Sequence, residues 1–207
     1  MTHCVTTLDL LRHGQPEGGE IFRGRTDVPL SDTGWQQMHD ALAGESGWQG
    51  IVSSPLSRCA GFAARLAADR QLHCRLEPDL QELSFGDWDG MAYADVRERY
   101  GEHFNRFWRD PLANPPPNGE PLADFSERVQ QALQRLLQDA RGQHLLLVTH
   151  GGVIRSLLAG LLSDRGEHGL SALMRFEVPY AAFSRLRIYH DEQGDWPQLV
   201  FFNRHGQ

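Results

Sequence analysis

The chain has 207 residues, 40% hydrophobic and 23% charged, a composition that suits one soluble domain with a well-filled core and excludes a disordered or fibrous chain. Its formal net charge of -7 argues against nucleic acid and anionic membrane surfaces as partners, since both select basic faces. No stretch approaches the roughly 20 apolar residues of a bilayer span, residues 1–7 carry no leader-like pattern, and Cys4, Cys59 and Cys74 imply no disulfide framework, so the expectation is a cytoplasmic protein.

The first apolar run, residues 8–11, predicts a buried strand, and it opens directly into Arg12-His13-Gly14. A glycine-rich loop over 14–24 follows, carrying Arg23, with Arg25 just beyond it, and such a loop lets backbone approach a ligand closely. Thr33 with Gln36 reads as a capping box, and Trp35, Met38 and Leu42 give the stripe of a helix ended by Gly44 and Gly47. A short strand over 50–53 leads to Ser54-Pro55, read as the N-cap and first residue of a helix whose Leu56, Cys59, Ala63 and Leu66 share a face. Arg58 falls in its first turn, where a cation opposes the helix dipole unless both share an anion. A solvated surface arginine is the plainer alternative.

Residues 72–76 predict another strand, and 80–90 mix apolar and acidic side chains without a clear period. Tyr93, Val96, Tyr100, Phe104 and Phe107 recur at helical spacing, a stripe that more often belongs to a core than to a substrate platform. The proline-rich span 111–121 predicts a loop, and Phe125, Val129, Ala132, Leu133 and Leu136 a helix. The run 145–148 predicts a strand buried on both faces, followed by Thr149-His150-Gly151-Gly152 and an apolar helix with Val153, Ile154, Leu157, Leu158 and Leu161. Strands over 183–189 and 199–202 predict a C-terminal edge hairpin. Alternating strands and helices make the fold class α/β with a mostly parallel sheet.

Two histidines thus emerge at the ends of two buried strands, where open α/β sheets bind ligands. Cleaving a phosphate monoester without a metal needs a nucleophile, fixed cations around the phosphoryl oxygens and an acid for the leaving group. His13 suits the nucleophile, Arg12, Arg58 and His150 suit the surround, and Glu82, Asp87 and Asp89 remain open as the acid. Taken singly, each histidine is more often structural or exposed than catalytic. No His-Glu-x-x-His, His-x-His or cysteine pair with ligand spacing supports a metal site, no Gly-x-Ser-x-Gly turn supports an α/β-hydrolase, and a chain without lysine has no Walker-type loop.

Leu11-Arg12-His13-Gly14, Ser54-Pro55-Leu56-Ser57-Arg58, Glu82 within 80–90 and Thr149-His150-Gly151-Gly152 occur in an order that resembles the histidine phosphatase (phosphoglycerate mutase-like) superfamily. The resemblance spans most of the chain. It implies a three-layer α/β/α sandwich over 1–207, with a helical cap or insertion near 90–122, and a phosphohistidine intermediate on His13. It also implies Arg12, Arg58, His150 and Gly151 around the phosphate, Glu82 as proton donor, no cofactor, no metal and a small phosphorylated substrate. Phe22-Arg23-Gly24, Gly34-Trp35-Gln36-Gln37-Met38 and Ser84-Phe85-Gly86-Asp87-Trp88 resemble the α-ribazole 5'-phosphate phosphatases of the cobalamin pathway. Trp88, Tyr93, Phe104, Phe107 or Trp108 then become candidates for stacking on the flat base. Gln15-Pro16 and Gly18-Gly19 depart from the common first loop, which carries Glu-Thr and then an asparagine, leaving Gln15, Arg23 and Gly24 as candidate substrate contacts. The alternatives are a broad-specificity small-molecule or protein phosphatase, a phosphoglycerate mutase and a non-catalytic phosphate-binding protein.

Overall fold

The computed structural model describes residues 4–162 and 175–204. Six strands form one sheet in the order β3-β2-β4-β1-β5-β6: β1 (Cys4–Arg12), β2 (Gly50–Ser53), β3 (Cys74–Leu76), β4 (His144–Thr149), β5 (Phe183–His190) and β6 (Asp195–Arg204). The first four run parallel, whereas β5 is antiparallel to β1 and β6 antiparallel to β5. Side chains alternate across a strand. Leu8, Leu10, Leu145 and Leu147 therefore enter one core, and Leu11, Leu146 and Val148 the other. Helices α4 (Leu122–Asp139) and α5 (Gly151–Leu162) cover the first face through Phe125, Val129, Val153 and Leu157. Helices α1 (Asp32–Ala41) and α2 (Ser57–Arg70) cover the second through Met38, Cys59, Phe62 and Leu66. Each such leucine, fully buried, contributes about 1.5–3 kcal/mol. The result is the expected α/β/α layering.

Register delivers the site. Arg12 pairs with Thr149, and the His13 N–H donates to the Thr149 carbonyl at 2.9 Å, so His13 and His150 leave neighbouring strands at one level. On the other side of β4, the Ser54 N–H reaches the Val148 carbonyl at 3.0 Å, which brings the start of α2 alongside.

Above this edge lies α3 (Tyr93–Arg109), interrupted at Gly101, whose φ of 43° and ψ of -104° are not helical. It packs on a satellite core of Phe22, Trp88, Val96 and Phe107, with Tyr100 and Phe104 against it. The aromatic stripe is thus mainly core.

Several local expectations are corrected. The cap of α1 is Ser31, whose hydroxyl accepts from the Gly34 N–H at 3.1 Å, and Gln36 bonds Asp40 at 2.8 Å, so Thr33 and Gln36 form no capping box. Helix α2 begins at Ser57, two residues later than expected; the Ser54 hydroxyl accepts from the Leu56 N–H at 3.3 Å and also meets His150 at 2.7 Å. The edge strand β3 spans three residues. Strand β6 is longer than expected because Pro197 pairs opposite Ile188 on a sheet edge, where a missing N–H is tolerated.

Candidate active site

His13 is almost fully buried, and its Nδ1 lies 2.8 Å from the Gly14 carbonyl. A carbonyl only accepts, so Nδ1 carries the hydrogen and Nε2 keeps its lone pair. Burial, followed by the charges of Arg12 and Arg58, holds this imidazole well below the usual histidine value. It is therefore neutral and nucleophilic at neutral pH. Gly14 is obligatory here, since a Cβ would come within 2.1 Å of the Gly34 carbonyl oxygen of α1.

His13 lines a cavity of about 460 Å³ with Arg12, Arg23, Arg58, Arg155, Glu20 and Glu82. Four arginines against two carboxylates make this pocket locally positive in a chain of net charge -7. Arg58, fully buried, donates to the Thr26 carbonyl at 2.9 Å and the Gly24 carbonyl at 2.7 Å. Gly24 also lines the cavity, and its φ of 40° and the carboxylate of Asp89, 1.9 Å from where a Cβ would stand, exclude a side chain. Arg12 donates to the Val178 carbonyl and lies with its Cζ 4.2 Å from the centre of the Tyr180 ring. Arg23 donates to the Glu17 and Gly19 carbonyls. Arg12, Arg23 and Arg58 each retain a buried Nε–H without a protein partner. Desolvation lowers the affinity of Arg12 and Arg58 for their protons, and a bound anion offsets that cost.

Glu82 reaches the same cavity from the loop between the single 3₁₀ turns Pro78–Leu80 and Gly86–Trp88. Its carboxylate accepts from the Gly152 N–H at 3.0 Å, at the start of α5, and from its neighbour Leu83 at 3.0 Å. Gly151 lines the cavity and leaves room for Arg12, whose Nε would lie 3.3 Å from a Cβ there.

His150 lies behind His13. Its ring centroid is 5.2 Å from that of His13 in an edge-to-face arrangement, and it is fully enclosed, with Ser54 at 2.7 Å and Cys59 at 3.6 Å. Burial and the charge of Arg58 hold it well below the usual histidine value. It does not line the cavity. Gln15 lies outside as well: it is exposed, its N–H donates to Gln37 at 2.9 Å, and its carbonyl accepts from Ser31. Arg25 is exposed and lies 3.4 Å from Glu120. Asp87 holds Asn118 at 3.0 Å, and Asp89 supports the Gly24 loop, its carboxyl pushed up to about 6 by burial.

Of the stacking candidates, Trp88 and Phe107 are buried and Phe104 packs beside them, while Tyr93 and Trp108 line the cavity. A second recess of about 100 Å³ shares Glu82, Phe85, Trp108 and Arg155 with it and is walled by Phe107, Leu122 and Phe125. Apolar space thus adjoins the candidate acid. Arg155, Tyr180 and Glu20 were not singled out in the sequence. Arg155 stands one helical turn after Gly151, a spacing that puts both on one face. Among the described residues no group of three histidine, cysteine or acidic side chains is gathered to hold a metal ion.

The model of the histidine phosphatase superfamily (branch 1) matches residues 8–199. A bifunctional protein of Mycobacterium tuberculosis is 35% identical over 191 residues, covering 90% of this chain but 51% of the relative, so the chain spans about half the length of that protein. An adenosylcobalamin/alpha-ribazole phosphatase of Escherichia coli is 30% identical, with 86% of this chain and 88% of the relative covered. A 2,3-bisphosphoglycerate-dependent phosphoglycerate mutase of Rhizobium etli is 32% identical, with 90% and 93% covered. The crystal structure of a putative alpha-ribazole-5'-P phosphatase from Escherichia coli superposes with a TM-score of 0.83 at 26% identity, covering 96% of each chain.

Proposed function

The chain belongs to the histidine phosphatase superfamily (branch 1), and from that premise we propose that it hydrolyses a small phosphate monoester through a phosphohistidine on His13, with α-ribazole 5'-phosphate as the substrate. The observation that carries the reaction is the neutral His13, with its free Nε2, in a cavity lined by Arg12, Arg23, Arg58 and Arg155. Nε2 attacks phosphorus as the bond to the leaving oxygen breaks, and Glu82 gives that oxygen its proton. Arg12, Arg58 and Arg23 take the phosphoryl charge, in a site where fixed donors are worth more than in water. Water then attacks the phosphohistidine, Glu82 takes its proton, and His13 is released. His150 supports His13 from behind.

The apolar recess beside Glu82 supports the choice of substrate, because the leaving group occupies the side from which its oxygen is protonated. In this reading the flat base takes the recess edged by Trp108, Phe107 and Phe125 and the ribose takes the main cavity. The similarity to a phosphoglycerate mutase favours a second reading, in which the phosphoryl group is returned to a second glycerate oxygen.

The test is phosphate release from α-ribazole 5'-phosphate beside 3-phosphoglycerate and other small monoesters, with His13→Ala as the control. A preference for the nucleotide that the variant abolishes supports the whole reading. Release from other esters alone leaves a phosphatase of different specificity, and phosphoglycerate interconversion without release leaves the mutase.

A further inference from the structure

The guanidinium of Arg128 in α4 spends all five of its N–H donors. Nε donates to Glu120 Oε1 at 2.6 Å and Nη2 to Glu120 Oε2 at 2.9 Å. The remaining donors go to backbone: Nη1 to the carbonyls of Asp79 at 2.6 Å and Gln81 at 2.9 Å, and Nη2 to that of Glu82 at 3.1 Å. Glu120 completes the grip, with its carboxylate 3.4 Å from the Ser84 N–H and its own N–H donating to the Ser84 carbonyl at 3.0 Å. Both side chains are nearly buried, and the guanidinium also lies over the Phe125 ring at 4.9 Å.

Buried carbonyls need partners, and the loop that carries Glu82 pairs with no strand at these positions. One planar fork supplies three of those partners, a task to which the point charge of a lysine is unsuited. We propose that Arg128, oriented by Glu120, is a positioning residue that sets where the Glu82 carboxyl stands and thereby the transfer of its proton to the leaving oxygen. This inference rests on the reading of Glu82 as proton donor. Arg128 lines neither the main cavity nor the apolar recess, so its loss acts on the step that needs Glu82 and not on phosphate capture.

The test compares two substrates with the same phosphoryl group. Ethyl phosphate has a leaving group that requires a proton, whereas 2,4-dinitrophenyl phosphate has one that does not. Single-turnover phosphorylation of His13 is measured for the full chain and for Arg128→Lys, Glu120→Gln and Glu82→Gln. Glu82→Gln is expected to raise the ratio of the dinitrophenyl to the ethyl rate by about 10²-fold or more, the usual worth of a general acid. Arg128→Lys is expected to shift the ratio in the same direction, and the isosteric Glu120→Gln to do so while preserving bulk and fold. A ratio unchanged in both, beside a changed ratio in Glu82→Gln, overturns the positioning role. An unchanged ratio in Glu82→Gln itself overturns the proton-donor reading and this inference with it.

Discussion

The carboxylate of Glu82 accepts a hydrogen bond from the Gly152 N–H at 3.0 Å, tying the candidate acid to the first turn of the helix that follows His150. The contact also explains the second glycine of the pair, because a Cβ at Gly152 would stand 2.2 Å from Glu82 Oε1 and 3.3 Å from the Phe125 ring.

Gly152→Ala is therefore expected to push the carboxylate aside while leaving the fold in place, since the closest atom is the far end of a flexible side chain. Glycine to alanine within a helix gains up to about 1 kcal/mol of propensity, which offsets part of the crowding at Phe125. The expected result is a thermal midpoint close to that of the parent and a kcat on alkyl phosphates lower by about 10²-fold. A kcat equal to the parent's would mean that Glu82 works from another position.

Arg58 makes a separate case because its guanidinium bridges two backbone carbonyls while the residue lines the cavity beside His13. Arg58→Lys preserves the charge but lacks the fork that serves these directions together. Loss of one preorganised donor costs about 10²–10³ in rate, so kcat/KM is expected to fall by that order and inhibition by inorganic phosphate to weaken in parallel. Inhibition by phosphate at the parent's strength would remove Arg58 from the anion site.

Stability should depend on pH through the two buried histidines. His13 and His150 are held well below 6.5, first by burial and then by the neighbouring arginines. As pH falls below 6.5, the unfolded chain takes up protons that the native state refuses, and stability is lost at up to about 1.4 kcal/mol per pH unit for each histidine. Asp89 has the opposite sign. Burial raises its carboxyl from 3.8 to about 6, so between these values the native state holds a proton that the unfolded chain has released, and its contribution grows as pH falls. The net loss is thus expected to set in as pH falls through 6.5 and to continue below about 6, where Asp89 offsets one of the two histidines. Urea midpoints across this range check it: His150→Gln should flatten the slope, and a slope identical to the parent's contradicts the assignment.

The strands that carry the histidines were legible because 145–148 are apolar at every position and 8–11 at every position but Asp9, as burial on both faces requires. Their adjacency was not, because the pairing of Arg12 with Thr149 joins residues more than a hundred positions apart and leaves no local trace. Arg155 had a readable signal, its helical spacing from Gly151. Tyr180 had none, since it reaches Arg12 through the turn before β5. Ser54 resembled a cap because serine before proline often is one, and its hydroxyl does accept from the Leu56 N–H, yet it is also engaged by His150, a partner that only tertiary structure supplies. Likewise, Pro197 concealed the start of β6 because only its edge position makes a proline acceptable there.

The same registry buries an acid in the middle of β1, and it yields a last prediction. Asp9 is fully enclosed and accepts from Arg185 at 2.6 and 2.9 Å, His144 at 2.9 Å and Trp48 at 2.7 Å. Burial alone would raise its carboxyl, but these bonds outweigh burial and hold it below 3.8. Arg185 continues to Glu45 at 2.7 Å, and Glu45 to Arg204, so the network joins the hairpin of β5 and β6 to the segment between α1 and β2. Removing one member of such a pair strands a charge, and Arg185→Met is expected to cost about 3–5 kcal/mol in urea unfolding. Replacing both, Asp9→Leu with Arg185→Met, should recover part of that loss, because the ion pair is removed whole while the Trp48 and His144 donors lose their acceptor. A single substitution that costs less than about 1 kcal/mol would place the pair with ordinary surface ion pairs, and β1 would then owe its central position to its leucines alone.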